Sequence, residues 1–243
     1  MTKAAKYTPS KRPNNVMTTD YINNPNQRTP CVLVLDVSGS MNEVTHTGRT
    51  RIEELSDGLK SLRAALNEDS SALVRVQLAV VSVGGPRDEA EVMMDWTDAT
   101  HFTAFRLNAA GLTPLSAGLR LGLTMIEEAK TELKASGVSY TRPWMMVISD
   151  GAPSDEASEW DEAVRDCLHA EKENKVEIFS IGVEGANTKK LSEFSARPPL
   201  MLSGMKFKEL FIWLSASLSA ASRSRPGDKI SLPPTDPWRN VGL

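Results

Sequence analysis

Residues 32–41, VLVLDVSGSM, run from four apolar residues into an aspartate and then place two serines around a glycine. With Cys31 in front, CVLVLDV is the near-continuous apolar pattern of a strand whose two faces are both covered, as in a parallel sheet. The strand closes on Asp36, and Ser38 and Ser40 follow at once in the polar loop SGSMNEVTHTGRT. A buried strand that ends in three oxygen-bearing side chains raises two questions together: what sheet it belongs to, and what those oxygens hold.

Working outward, the chain alternates between strand and helix patterns. Ile52, Leu55, Leu59, Leu62 and Leu66 lie on one helical stripe. VRVQLAVVSVG, from Val74, reads as a second strand, and EVMMDW as a third, shorter strand at an edge. Leu115, Leu119, Leu123, Ile126 and Leu133 mark a helix that contains Gly118 and Gly122. Each helical glycine costs about 1 kcal/mol relative to alanine, so close approach to the sheet is the expected compensation. WMMVISD is a strand, Glu156 to Glu171 a helix, VEIFSIGV a strand, and a short helix starts near Thr188. PLMLSG reads as a last strand. A helix from Lys206 then turns Phe207, Leu210, Phe211, Leu214 and Leu218 toward the sheet. Trp213 is rotated off that stripe and is expected near Pro233 or Trp238. The pattern predicts an α/β fold: a three-layer, doubly wound, mostly parallel sheet with one short antiparallel edge strand. Residues 1–27 read as a flexible arm, 28–222 as the domain, and 223–243 as a proline-containing tail packing on or near it.

Composition narrows the function. The 243 residues, 40% of them hydrophobic, suffice for a core without disulfide or metal staples. A net charge of -3, from 28 basic and 31 acidic residues, gives no electrostatic case for nucleic acid. Lys3, Lys6, Lys11 and Arg12 read as a solvated arm. The first apolar run begins at residue 32 and is too short to span a bilayer, so neither a secretory signal nor a membrane span is expected. Cys31 and Cys167 read as free, partly buried thiols, consistent with a reducing compartment and a cytoplasmic location. His46, His101 and His169 have no zinc-ligand spacing.

In open α/β sheets the ligand crevice lies beyond the carboxyl ends of the strands, where the strand order switches direction. Asp36, Ser38 and Ser40 end the first strand, Asp150 ends WMMVISD, and Thr113 stands in AAGLTPL just before a helix. If the first and fourth strands are neighbours, all five meet at one rim. Two adjacent carboxylates repel unless a proton or cation lies between them, and hydroxyls add oxygen ligands without charge. Such a set suits a hard divalent ion, magnesium first, with manganese or calcium as alternatives. Asp36 is expected to anchor the loop by accepting hydrogen bonds that hold the hydroxyls in register. Each residue also has a plainer reading. Ser38-Gly39-Ser40 and Asp150-Gly151 can be ordinary turns, and Thr113 a helix cap ahead of Pro114.

DVSGSM, Thr113 in GLTPL and Asp150 in SDGAPSD together resemble the von Willebrand factor type A (VWA) domain and its metal-ion-dependent adhesion site, matching at all five positions. The resemblance implies a Rossmann-like fold in which Ser38 and Ser40 coordinate the metal directly. It makes Thr113 a further ligand and has Asp36 and Asp150 act largely through water or hydrogen bonds. It also implies an open position that accepts an Asp or Glu from a partner, and a final helix (Lys206 to Ala220) that shifts with the site. GLTPLSAGLRLGL, DGAPSDEASEWDEAV and FKELFIWLSASLSAASRSRPGDKISLPP resemble more narrowly the bacterial TerY-like group linked to tellurium resistance. That group implies a co-encoded protein kinase or metal-dependent protein phosphatase as partner. The cysteine-rich zinc module of some relatives is absent from this sequence.

The rim expected to select the partner includes Met41, Asn42, Leu115 and Ser154. The acidic stretch Asp155, Glu156, Glu159, Asp161 and Glu162 reads as helix surface or as a selectivity patch for a basic partner. The rival class is a metal-dependent hydrolase or phosphatase. A phosphatase that uses the strand-end aspartate as nucleophile needs a second aspartate two residues on, and that position is Ser38. No phosphate loop or glycine-rich dinucleotide turn follows the strand. Direct binding of a small oxyanion is a third reading, with Arg49 and Arg51 near the loop.

Overall fold

A computed structural model describes residues 24, 26–202, 206–223 and 232–235. The expected arm lies outside the described residues apart from Asn24, Asn26 and Gln27, as does most of the expected tail, including Trp238.

The opening stretch forms β1 (Thr29–Val37), buried at every position. Side chains alternate across a strand, so β1 feeds two cores. Cys31, Leu33 and Leu35 enter one, beneath α1 (Arg51–Glu68), α2 (Ser70–Arg75) and α6 (Phe207–Ser222). Val32 and Val34 enter the other, beneath α3 (Leu115–Ala135), α4 (Ala157–Lys172) and α5 (Thr188–Leu191). The sheet is completed by β2 (Val76–Gly84), β3 (Glu89–Asp98), β4 (Trp144–Ser149), β5 (Glu177–Gly182) and β6 (Leu200–Met201), in the order β3-β2-β1-β4-β5-β6. Among the described strands of this sheet, only the β2–β3 pair is antiparallel. The expected three-layer α/β architecture is therefore present, and β3 is its antiparallel edge strand, longer than EVMMDW alone indicates.

β1 and β4 are parallel neighbours, with Leu35 opposite Ile148. The chain leaves β1 toward β2 on one side and reaches β4 on the other, so the switch in strand order falls between them. This places the carboxyl ends of β1 and β4 side by side at the crevice.

The helical glycines do bring α3 close to the sheet. A Cβ on Gly118 would lie 2.3 Å from Val83 Cγ2, and one on Gly122 2.8 Å from Met145 Sδ. Other boundaries move. Val74 and Arg75 belong to α2, not to the start of β2, because the Asp69 carboxylate accepts from Ser71 N at 2.9 Å and Ala72 N at 3.0 Å and starts a helical turn first. PLMLSG yields only the two-residue β6, and its Ser203 and Gly204 lie outside the described residues. Cys31 and Cys167 are free and fully buried, and burial pushes both thiols up. Trp213 Nε1 donates to Pro233 O at 2.8 Å. Among the described residues, no helix is long and apolar enough to cross a membrane.

Candidate metal centre

Asp36 is buried at the end of β1, and both its carboxylate oxygens are engaged. Oδ1 accepts from Ser38 N at 2.9 Å, and Oδ2 accepts from Ser149 Oγ at 2.7 Å. The first bond folds the chain back directly after the strand; the second ties β1 to β4. Ser149 Oγ also accepts from Gly151 N at 2.9 Å, which carries the connection into the loop that follows Asp150. Burial raises the Asp36 carboxyl above its ordinary range, and the charge of Asp150 adds to this, against the bonds from Ser149 and Ser38. The anchoring role expected of Asp36 thus has a geometric basis, with Ser149 as a partner that the sequence reading missed.

With Asp36 holding the turn, the hydroxyls of Ser38 and Ser40 come within 3.1 Å of each other. Ser38 precedes the short 3-10 turn Gly39–Asn42, yet its side chain makes no cap hydrogen bond. Thr113 does not cap α3 either: Pro114 occupies the cap position, again without a side-chain bond. The capping acceptor comes instead from Asp155, which takes Ser116 N at 3.2 Å and the Ser116 hydroxyl in a short hydrogen bond. Thr113 N donates to Ser154 Oγ at 3.1 Å and Ser154 N to Thr113 O at 3.0 Å, which binds the loop after β4 to the loop before α3. One backbone bond and one bond to a side chain fix the Thr113 loop as well. Gly39 N donates to Gly111 O at 2.8 Å, and Leu112 N to Asp88 Oδ1 at 2.6 Å. Gly111 has φ +72°, and a Cβ there would fall 2.3 Å from Gly85 O, so only glycine fits this crossing.

Asp150 has two roles. Its Oδ1 accepts from Ala152 N at 3.1 Å, as the plainer turn reading anticipated, and its Oδ2 lies 4.0 Å from Arg51 Nη1. Arg51 is the first residue of α1, set there by a reciprocal cap. Glu53 N donates to Thr50 Oγ1 at 3.3 Å, and Thr50 N donates to Glu53 Oε2 at 3.1 Å. The T-x-x-E spacing at Thr50 was the available signal for this helix start.

Two rim assignments need correction. Met41 and Leu115 are core residues with fully buried side chains, because the 3-10 turn tucks Met41 under α1 and α3 presents Leu115 to the sheet. Asn42 and Ser154 are exposed, although Asn42 Nδ2 donates to Ala109 O at 2.9 Å. The exposed apolar side chains in these loops are Val44 and Leu112, the latter immediately before Thr113.

The donor set fits a hard divalent cation. It is all oxygen, it includes a buried Asp36 carboxyl raised by burial and by the charge of Asp150, and its hydroxyls are free of cap bonds. Among the described residues no group of three or more His, Cys, Asp or Glu suggests a softer or more anionic alternative. His46 is exposed in the loop after β1, 3.6 Å from Glu184, and offers no base aimed at the rim.

The fold recurs in solved structures. The chain is similar to the pilus adhesin SpaC from Lactobacillus rhamnosus GG, with a TM-score of 0.62 and 14% identity over 80% of this chain and 31% of that one. It is similar to the vWF domain of the type V pili tip protein Mfa5 from Porphyromonas gingivalis, with a TM-score of 0.56 and 10% identity over 82% of this chain and 98% of that one. Proximal thread matrix protein 1 from the mussel byssus gives a TM-score of 0.53 and 14% identity over 80% of this chain and 48% of that one. The chain thus spans less than half the length of the first adhesin and of the matrix protein. No curated protein matches it. The model of the von Willebrand factor type A domain matches residues 31–210, a span that holds Asp36, Ser38, Ser40, Thr113 and Asp150, and the chain belongs to that family.

Proposed function

We propose that this protein is a non-enzymatic, metal-dependent protein-binding module. Domains of its family commonly serve as metal-dependent interaction modules. Asp36, Ser38, Ser40, Thr113 and Asp150 would hold a magnesium ion, and the ion supplies an electrophilic position that a partner's Asp or Glu can fill. The observation that carries this reading is the pair of hydroxyls 3.1 Å apart above a fully engaged Asp36, with no cap bond on Ser38 or Thr113. Mostly neutral ligands leave the ion hungry for an anionic oxygen, so a carboxylate is favoured over water.

The narrower sequence resemblance supports a place in a tellurium-resistance or stress-response phosphorylation system in the cytoplasm. A co-encoded protein kinase or metal-dependent protein phosphatase is the partner proposed there. A hydrolase is disfavoured because Ser38 stands where a phosphoaspartate mechanism needs its acid-base carboxylate.

Titration calorimetry of magnesium into metal-stripped protein tests the reading, with Ser38→Ala/Ser40→Ala as control. Binding to the native protein and none to the variant is expected. Equal heats in the two would remove these hydroxyls from the site.

A further inference from the structure

Arg51 stands at the proposed metal position without belonging to the metal ligands. Its side chain is 12% exposed and is held by two main-chain carbonyls: Nη1 donates to Ser40 O at 3.3 Å and Nη2 to Glu184 O at 2.7 Å. These bonds come from the loops after β1 and β5, so they fix the guanidinium whatever else it touches. Nη1 is 4.0 Å from Asp150 Oδ2, which sets the cation beside the candidate ligands. The remaining partner is of another kind. Glu43 reaches Arg51 Nη2 at 2.8 Å from a side chain that is 63% exposed. An exposed ion pair is weak, and a competing carboxylate can displace it at little cost.

Charge gives this arrangement a direction. A divalent ion and Arg51 together outweigh Asp36 and Asp150 by one positive charge, and Glu43 is the group that cancels the excess. We infer that Arg51 is a specificity-determining residue of this site: it pairs with a second carboxylate of the partner, which takes the place of Glu43. The partner chemistry is then an acidic pair, one carboxylate on the metal and its neighbour on the guanidinium. A fork of N–H donors suits this role, since charge-assisted bonds to a carboxylate are stronger and better oriented than neutral ones. The inference rests on the metal-dependent reading above and gives it a partner sequence.

The test uses the full chain in magnesium and two blocked dipeptides, Glu-Glu and Glu-Gln, titrated by NMR chemical-shift perturbation. The native protein should bind Glu-Glu more tightly by on the order of 5-fold, the size of one partly exposed charge pair. Arg51→Gln should abolish that preference while still binding magnesium, and Arg51→Lys should keep part of it. Because Arg51 also holds two loops, Glu43→Gln gives an independent readout on an exposed residue. It should tighten binding of Glu-Glu more than of Glu-Gln, since the internal competitor for the second carboxylate is gone. Magnesium binding with no preference between the peptides, or a preference that survives in Arg51→Gln, would overturn this inference alone. No magnesium binding by the native protein would overturn the metal-dependent reading and this inference with it.

Discussion

Both ends of the sheet bury charge, and they do so differently. At the amino-terminal end Arg28 is completely buried. Its Nη1 donates to Asn26 O at 2.9 Å and to Val74 O at 3.3 Å, and its Nε lies 3.7 Å from Asp98 Oδ1. Gln77 Nε2 donates to the same Asp98 oxygen at 3.0 Å. Cation and anion close on each other there, and the cluster ties the start of β1 to α2 and the end of β3. At the carboxyl end Asp36 and Asp150 stand as like charges, and burial, with the charge of Asp150, raises the Asp36 carboxyl. The nearest cation, Arg51, stands 4.0 Å away and is shared with Glu43. One end is an internally paired lock; the other brings two carboxylates together with one shared cation, which is the arrangement the proposed metal would complete. On the proposed reading, the same sheet separates stability from binding.

The most severe way to break this comparison is Arg28→Met. Removing one member of a buried pair takes the Arg28 charge away from Asp98, and urea denaturation should show a loss of about 3–5 kcal/mol. Magnesium affinity of the folded fraction should stay at the native value. A parallel fall in affinity would mean that the two ends are not independent.

Gly118→Ala probes the layer between the ends. Its Cβ would meet Val83 Cγ2 at 2.3 Å, so α3 must shift outward, at a cost of about 1–3 kcal/mol in the same assay. Because α3 begins two residues after Thr113, magnesium binding should weaken as well. Ser149→Ala acts more locally. It removes the donor to Asp36 Oδ2 and the acceptor for Gly151 N, and about 1–3 kcal/mol of stability should go with them. Bound magnesium should recover part of this loss. The smallest effect on stability belongs to Ser38→Ala/Ser40→Ala, about 1 kcal/mol, because the two hydroxyls bond to each other and Asp36 keeps its bonds from Ser149 and from the Ser38 main chain. Its melting temperature should not respond to magnesium, while the native protein's should rise.

The two ends were also unequally legible in the sequence. The carboxyl end announces itself, because a strand buried on both faces must be apolar until it emerges, and Asp36 and Asp150 mark where β1 and β4 emerge. Thr113 could be named too, but not its freedom from capping, since that depends on Asp155 arriving from a different loop. Arg28 was not legible: it sits at the edge of a polar, basic segment, and only the fold shows that it turns inward. The sequence places Arg51 near the loop, but its approach to Asp150 depends on α1 being capped one residue earlier by Thr50. Met41 looked like loop surface because the 3-10 turn that buries it carries no periodicity to read. Val74 favoured a strand by composition, and the side-chain cap at Asp69 won locally.

The most direct test of the account is where a divalent ion sits. Crystals soaked in manganese, with anomalous differences collected at a wavelength where manganese scatters, should give a peak bordered by the hydroxyls of Ser38 and Ser40, within reach of Thr113 and Asp150. A peak at another place on the surface, or none at saturating manganese, would contradict it.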